Sequence, residues 1–265
     1  MPKSAKELAY LRDLYVDSEW TRRFTELSDK HFGYADDKSL LYINAGTGNH
    51  ALEIGSKAGP DARICAVCED LHLLAIAREK AIATNSQVDF SDLDELETES
   101  FDSVIADASF VSPADLASLL DDSARFVEIG GTVAAFVVAS GSFGEIFSLL
   151  WEVMLEEHAD EINSLAERLI TALPTVSSIE DSLGWAGLED IETYVSNEVF
   201  EFENGSAFAE SPLIADFLMP GWFADLSTEE IGRIRERLVQ LIDAEDGSLT
   251  FRFSVKAVLV TGRKS

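Results

Sequence analysis

The sequence predicts an α/β fold built on a mostly parallel seven-stranded sheet with helices on both faces, and three observations support this. From Ser39 onward, short apolar runs alternate with helix-length stretches, as in right-handed β-α-β units. A turn containing glycine follows the first apolar run directly. Near the C-terminus, two strand-like segments alternate β-branched and aromatic residues with no clear crossover helix between them, which predicts an antiparallel last strand.

The individual elements follow from hydrophobic periodicity. Strands are predicted at 40–43, 63–68, 88–90, 103–106 and 132–139, followed by the C-terminal pair at 191–202 and 249–260. Helices are predicted between them, at 49–58, 70–84, 113–127 and 142–171.

Two further segments flank this pattern. Residues 1–34 predict an N-terminal helical cap, because Leu8, Leu11, Leu14 and Tyr15 recur at helical spacing. Residues 203–248 form an insertion before the last strand that is too long for a hairpin loop. The insertion is either a lid over a substrate or an extra helical pair that completes the core, and the sequence favours neither.

The charge composition of the chain argues against certain classes of binding partner. Asp and Glu number 49 against 20 Lys and Arg, a net charge of −29, and such a surface repels phosphate backbones and anionic membranes. We therefore expect no nucleic-acid partner. No run of about 18 apolar residues and no signal peptide is evident, so a cytoplasmic protein with no membrane partner is expected.

The cysteine and histidine residues predict no metal site. Cys65 and Cys68 form a C-x-x-C spacing, but they fall on a strand that the sequence predicts to be buried, and no second ligand pair completes a metal set. His50 follows the glycine turn and either lies on a helix surface, which is the expectation, or faces the pocket. The stripe that begins at Phe143 and Phe147 has helical spacing and predicts core or the surface of a homodimer.

The sharpest local signal is the turn after the first strand, where Asn44-Ala45-Gly46-Thr47-Gly48 leads into a helix. Glycine permits positive φ and lets a ligand approach the backbone, and the helix start presents free N–H groups. The spacing also satisfies the dinucleotide fingerprint G-x-G-x-x-G/A. A nicotinamide-dependent oxidoreductase therefore stays open as an alternative, with Glu69 about 20 residues downstream as its ribose acid.

Later landmarks fall in a recognisable order. Cys68-Glu69-Asp70 ends the second strand, Asp92-Leu93 follows the third, and Phe101-Asp102 opens the fourth, which ends at Asp107. Gly130-Gly131 precedes the fifth strand. From 38 to 139 and from 186 to 262, the chain resembles class I S-adenosylmethionine-dependent methyltransferases.

The resemblance implies a Rossmann-like single domain over 1–265, with a nucleotide-binding half at 35–140 and a C-terminal half at 141–265. It implies S-adenosylmethionine as cofactor, a small-molecule methyl acceptor, and Asp107 as the candidate catalytic residue at the rim, unless it is only an exposed acid at a strand end. The implied cofactor-binding residues are Asn44, Ala45, Gly46, Gly48, Glu69, Asp70, Asp92, Leu93 and Asp107.

Departures from the family pattern leave a second class of function open. Tyr42 stands where the family has an acid, Asn44 where it has its first glycine, and Cys68 where it has the ribose acid. Asn tolerates left-handed φ, so the turn is expected to form. Glu69 and Asp70 also suit a helix start, where acids cap the first turn. A methyltransferase-like protein without catalysis, serving binding or assembly, is the alternative.

Overall fold

The computed structural model describes residues 3–33, 39–91, 96, 101–156, 160–244 and 250–265. Its sheet confirms all seven predicted strands, with bounds that differ by a few residues. They are β1 Ser39–Ile43, β2 Arg63–Val67, β3 Asp89–Ser91, β4 Phe101–Ala108, β5 Val127–Val138, β6 Leu188–Phe202 and β7 Phe251–Lys264. The strand order is β3-β2-β1-β4-β5-β7-β6.

Strand direction also matches the prediction. β1 pairs in parallel with β2 and β4, β2 with β3, and β4 with β5. Against β6, β7 runs the other way, because Phe253 stacks on Phe200 while the Thr261 hydroxyl donates to the Glu192 carbonyl. The antiparallel last strand is confirmed, and it is a feature that the oxidoreductase alternative does not predict.

The strand order places a topological switch between β1 and β4, the two strands from which the chain winds in opposite directions. In open α/β sheets, ligands bind outside the carboxyl ends of strands at such a point. The ends are aligned by register, since Ile43 pairs with Val67 on one side and with Ala106 on the other. The residues that follow β1, β2 and β4 therefore lie side by side.

Helices precede the first strand and connect most of the strands to one another. The N-terminal segment comprises α1 Ala5–Leu11, a π-helical segment Arg12–Thr21 and α2 Arg22–His31. The predicted helix 142–171 is observed as two helices, with 157–159 outside the described residues. The remaining helices are α3 Asn49–Lys57, α4 Leu71–Thr84, α5 Leu116–Phe126, α6 Gly144–Glu156, α7 Asp160–Ala172, α8 Val176–Trp185, α9 Gly205–Glu210, a second π-helical segment Leu213–Leu218, α10 Met219–Trp222 and α11 Thr228–Ala244.

The predicted apolar face of the N-terminal cap is partly wrong. Leu14 is 65% exposed and Tyr15 46% exposed, whereas Arg12 and Asp17 are buried on the same segment. The segment Arg12–Thr21 is π-helical, and i→i+5 hydrogen bonding changes which residues share a face. Val16, Trp20, Phe24 and Leu27 are nevertheless buried at spacings of three or four residues, so only the N-terminal part of the predicted face is wrong.

The chain groups into two compact units. The first contains the described residues of 1–137, 176–196 and 257–265, and the second those of 138–175 and 197–256. In the second unit, Phe208 of the insertion is buried and packs against Phe251 and Phe253. The described residues of the insertion form four helical segments rather than the expected pair and contribute to the core of this unit, whereas a lid role stays a prediction. In the described part of the chain, we find no helix with the length and apolarity needed to cross a bilayer.

Candidate functional site

The turn after β1 has the backbone that a close ligand approach requires. Asn44 and Gly46 have φ of 59° and Gly48 has φ of 82°, all in the left-handed region that glycine and asparagine tolerate best. The Ala45 N–H donates to the Val67 carbonyl at 2.8 Å, which ties the turn to the end of β2. The expectation that Asn44 preserves the turn is confirmed.

The two glycines of the turn serve different purposes. A Cβ on Gly48 would lie 2.7 Å from the Phe90 ring, so this glycine is required by packing. A Cβ on Gly46 would lie 3.3 Å from Nη2 of Arg12, whose atoms are its three nearest neighbours. The space above Gly46 is therefore occupied by the flexible end of a side chain.

Glu69 faces this space. Its Oε2 accepts a hydrogen bond from the Gly46 N–H at 3.0 Å, and its Oε1 forms an ion pair with Nη2 of Arg12 at 2.9 Å. The chain bends enough after β2 for the carboxylate one position beyond Cys68 to reach the turn. We call the Asn44–Gly48 turn, Glu69 and Asp107 together the cradle.

Asp70 has a separate role. It is the N-cap of α4, where its carboxylate accepts hydrogen bonds from the backbone N–H groups of His72 and Leu73. Such a cap satisfies amides that the helix itself leaves without partners. Of the two neighbouring acids, Glu69 is directed to the cradle and Asp70 to the helix, so the capping alternative describes Asp70.

Asp107 closes the opposite side of the cradle at the end of β4. Its carbonyl accepts from Nδ2 of Asn44 at 3.1 Å, and its Oδ1 accepts from the Ser109 N–H at 2.8 Å. It is 4% exposed, so the alternative of an exposed acid at a strand end is wrong. Burial raises the pKa of Asp107 even though the positive charge of Arg12 acts in the opposite direction.

Arg12 brings a buried positive charge into the cradle. It is 7% exposed, and its guanidinium also lies 4.8 Å from the centre of the Phe110 ring. Burial disfavours its charged form, but the carboxylates of Glu69, Asp107 and Asp17 outweigh that effect and raise the pKa of Arg12. Among the described residues, its buried Nε–H has no hydrogen-bond partner.

Further polar contacts hold the π-helical segment against the turn. The Thr47 hydroxyl lies 2.6 Å from Oδ1 of Asp13 and 2.7 Å from Oδ2 of Asp17. Nζ of Lys80 forms an ion pair with Asp13 and donates to Oδ1 of Asn49 at 2.6 Å. We call these five residues the latch.

A second polar cluster begins on β1. The Tyr42 hydroxyl lies 3.1 Å from Nδ1 of His50, and Nε2 of His50 lies 3.2 Å from Oδ1 of Asp29, which also pairs with Lys57. His50 is 6% exposed, so the predicted helix-surface position is wrong. The burial follows from Tyr42, whose hydroxyl needs a partner inside the core. We call Tyr42, His50 and Asp29 the buried chain.

The structure therefore brings together most, but not all, of the predicted site. Asn44, Ala45, Gly46, Gly48, Glu69 and Asp107 meet at the carboxyl ends of β1, β2 and β4, and Asp92 and Leu93 lie outside the described residues. Within the described ranges, no three His, Cys, Asp or Glu side chains are grouped as metal ligands would be.

An N-terminal helical cap over the site was expected, but the residues through which it reaches the cradle were not identified from the sequence. Arg12, Asp17 and Trp20 are buried on one face of the π-helical segment, and the Trp20 Nε1–H donates to the Ser109 hydroxyl at 3.0 Å. The available signal is that Arg12, Val16 and Trp20 are each four residues apart, a helical spacing that apolar periodicity overlooks because Arg12 is charged.

Comparison with known proteins shows what this chain is similar to. The sequence profile of the family described as "Methyltransferase domain" matches residues 41–135, which include the turn, Glu69 and Asp107. No curated protein sequence matches the chain at a significant level.

Solved structures share the fold at low identity. YcgJ of Bacillus subtilis is 15% identical, with a TM-score of 0.58 over 92% of this chain and 98% of that one. Phosphoethanolamine N-methyltransferase 2 of Haemonchus contortus, in complex with S-adenosyl-L-methionine, is 17% identical, with a TM-score of 0.52 over 92% of this chain and 52% of that one. Geranyl diphosphate C-methyltransferase of Streptomyces coelicolor A3(2) is 13% identical, with a TM-score of 0.51 over 100% and 86%. The profile match shows that residues 41–135 are similar to a methyltransferase domain, and the solved structures show that the chain shares the fold of S-adenosylmethionine-dependent methyltransferases.

Proposed function

We propose that this protein transfers a methyl group from S-adenosylmethionine to a small-molecule acceptor. The observation that carries the proposal is the geometry of Gly46 and Glu69. A left-handed turn ends β1, and a carboxylate that follows β2 faces its backbone at 3.0 Å. Both lie at the switch point of the sheet, where ligands of α/β folds bind.

Two features of the cradle fit this cofactor. The space above Gly46 is taken by the end of a flexible side chain rather than by backbone, so it can be vacated without refolding. The buried Nε–H of Arg12 has no partner in the described part of the chain, which leaves a donor for an anionic ligand group. Glu69 would accept hydrogen bonds from ribose hydroxyls, and the turn would contact the methionine part.

The residues of the cradle would act mainly by positioning. The bound cofactor supplies an electrophilic methyl group on a sulfonium, so holding an acceptor in line with it provides most of the rate enhancement. Asp107, buried and with a raised pKa, would accept a proton from an acceptor that must lose one. The buried Trp20, hydrogen-bonded to Ser109, would help to exclude water from this side.

The choice of a small-molecule acceptor is supported by charge. At a net charge of −29, a nucleic-acid backbone would be repelled at long range. Two similar structures are named for acceptors of this class, phosphoethanolamine and geranyl diphosphate. We also propose a cytoplasmic location, in keeping with the acidic composition.

Calorimetric titration with S-adenosylhomocysteine and S-adenosylmethionine tests the proposal. The wild type should bind both, and Glu69→Ala should weaken binding about tenfold or more, since it removes charge-assisted hydrogen bonds. Glu26→Ala is the matched control, because Glu26 is 65% exposed and pairs with Arg22 on the surface. Absence of heat for the wild type at millimolar ligand would overturn the proposal.

A methyltransferase-like binding protein without catalysis is the second candidate. It is favoured by Tyr42 and Cys68 at two positions where the family has acids, and by the presence of Arg12 in the cradle. If S-adenosylhomocysteine binds but no methyl transfer is seen with a broad set of amine, hydroxyl and thiol acceptors, this candidate replaces the first.

A further inference from the structure

We propose that Arg12 recognises the carboxylate of the cofactor's methionine part, and that its ion pair with Glu69 is a resting contact which cofactor binding must break. The inference rests on the proposed function, since it names a residue for the same ligand. It concerns specificity, because it distinguishes ligands with the methionine part from nucleosides without it.

The first argument is the state of the Arg12 side chain. It is 7% exposed, yet its Nε–H has no partner among the described residues. A buried N–H on a charged group that lacks an acceptor is destabilising, and natural proteins rarely keep one without a role. The Nε lies 3.5 Å from the position of a Cβ on Gly46, so the unpaired donor belongs to the cradle itself.

The second argument is the state of Glu69. Its two carboxylate oxygens are held by the Gly46 N–H and by the Arg12 guanidinium. The Arg12 guanidinium also fills the space above Gly46, so a ligand that enters this space must displace the guanidinium from Glu69. The displaced guanidinium would lose its ion-pair partner, and a buried cation needs a new anion.

The cofactor carries one anionic group, the carboxylate of its methionine part. A guanidinium matches a carboxylate in a planar, two-point geometry that uses adjacent N–H donors. The unpaired Nε–H and a freed Nη group of Arg12 form such a pair. Arg12 would therefore exchange the carboxylate of Glu69 for that of the ligand, and Glu69 would turn to the ribose.

The third argument is that the segment carrying Arg12 is anchored independently. Asp13 and Asp17, the neighbours of Arg12 on the π-helical segment, contact Thr47 within 2.7 Å. These latch contacts do not involve the Arg12 guanidinium. The exchange thus requires a change of side-chain conformation while the helical segment stays in place.

The test compares two ligands by calorimetry. S-adenosylhomocysteine has the carboxylate, whereas 5′-methylthioadenosine has the adenosine part without it. For Arg12→Gln, we expect binding of S-adenosylhomocysteine to weaken about tenfold or more, while binding of 5′-methylthioadenosine stays equal or becomes tighter because the resting contact is gone. Arg22→Gln, at a surface ion pair with Glu26, should change neither.

The possible outcomes distinguish a failure of the inference about Arg12 from a failure of the proposed function. If Arg12→Gln changes the affinity for both ligands by the same factor, Arg12 does not recognise the carboxylate and the inference is wrong, while the proposed function stands. If the wild type binds neither ligand, the proposed function fails and the inference with it. Should Arg12→Gln fail to fold, Arg12→Lys keeps the charge but lacks the planar pair, and should show the same selective loss to a smaller extent.

Discussion

The cradle and the buried chain are two polar clusters that meet at the end of β1, and they differ in how their polar atoms are satisfied. In the buried chain, the Tyr42 hydroxyl, both ring nitrogens of His50 and the Asp29 carboxylate each have a partner. In the cradle, Arg12 keeps an unpaired buried Nε–H in the described structure.

This difference distinguishes a structural cluster from the proposed ligand site. Buried polar groups that are fully paired stabilise one arrangement of the core. A buried donor without a partner lowers stability, and it persists where a ligand can complete the set. The buried chain should therefore respond to mutation with a loss of stability, and the cradle with a loss of binding.

The largest expected effect concerns Cys68, which directly precedes Glu69, and tests whether solvent is excluded from this part of the cradle. Burial, followed by the charge of Glu69, raises the pKa of Cys68 from 9.0 to about 12. The thiolate is the reactive form, so its fraction at neutral pH falls about a thousandfold. In a Cys65→Ala background, labelling of Cys68 by a disulfide reagent at pH 7.5 should be slower by about this factor in the native protein than in urea.

Cys65 serves as the internal comparison. Its pKa is also raised by burial, so a Cys68→Ala background should label slowly as well. Rapid labelling of Cys68 alone would mean that the cradle opens without a ligand. The cradle and the buried chain would then differ in mobility rather than in the pairing of their polar atoms.

The next effect concerns the centre of the buried chain. His50→Ala removes a buried ring and leaves the Tyr42 hydroxyl without its partner, so the free energy of unfolding should fall by about 2–4 kcal/mol in urea titrations. The exposed His72 provides the control, and His72→Ala should stay within about 0.5 kcal/mol of the wild type. Where His50→Ala remains folded, its affinity for S-adenosylhomocysteine should be unchanged. A selective loss of affinity would place the buried chain in the ligand site.

The smallest effect is expected for the hydroxyl alone. Tyr42→Phe leaves Nδ1 of His50 unpaired and should lower the free energy of unfolding by about 1 kcal/mol at pH 7. Tyr15→Phe is the control, since Tyr15 is 46% exposed.

The pH dependence of this variant has a defined sign. Burial raises the pKa of Tyr42 well above its ordinary value of 10.0, so the unfolded chain ionises first. The stability that Tyr42 contributes is complete below pH 10 and is lost as pH rises toward the folded pKa. The gap between wild type and Tyr42→Phe should therefore narrow above pH 10, and a gap that stays constant would mean that burial does not raise the pKa of the phenol.

Much of the fold could be predicted from the residues themselves. The apolar runs at 40–43 and 103–106 gave the adjacent central strands, because parallel strands buried on both faces are continuously apolar. The single helix predicted at 142–171 is two helices, α6 and α7, because hydrophobic periodicity does not mark where one helix ends and the next begins.

The candidate site could also be predicted only in part. Gly46 and Gly48 could be predicted because a tight turn needs left-handed φ, a local requirement. The direction of Glu69 and Asp70 could not, since two neighbouring acids at a helix start satisfy the same local rule. Asp70 took the cap, and Glu69 was left for the Gly46 N–H.

By itself, the sequence determined the α/β class, the positions of the strands and the glycine turn, because those depend on periodicity and on the conformational limits of single residues. Only the tertiary structure decided that Arg12 occupies the cradle, that Asp107 is buried and that His50 joins Tyr42. Arg12, for example, contacts Glu69 and Phe110, which are 57 and 98 positions away in the sequence. Such contacts depend on which helical face turns inward, and a charged residue on that face is not revealed by apolar periodicity.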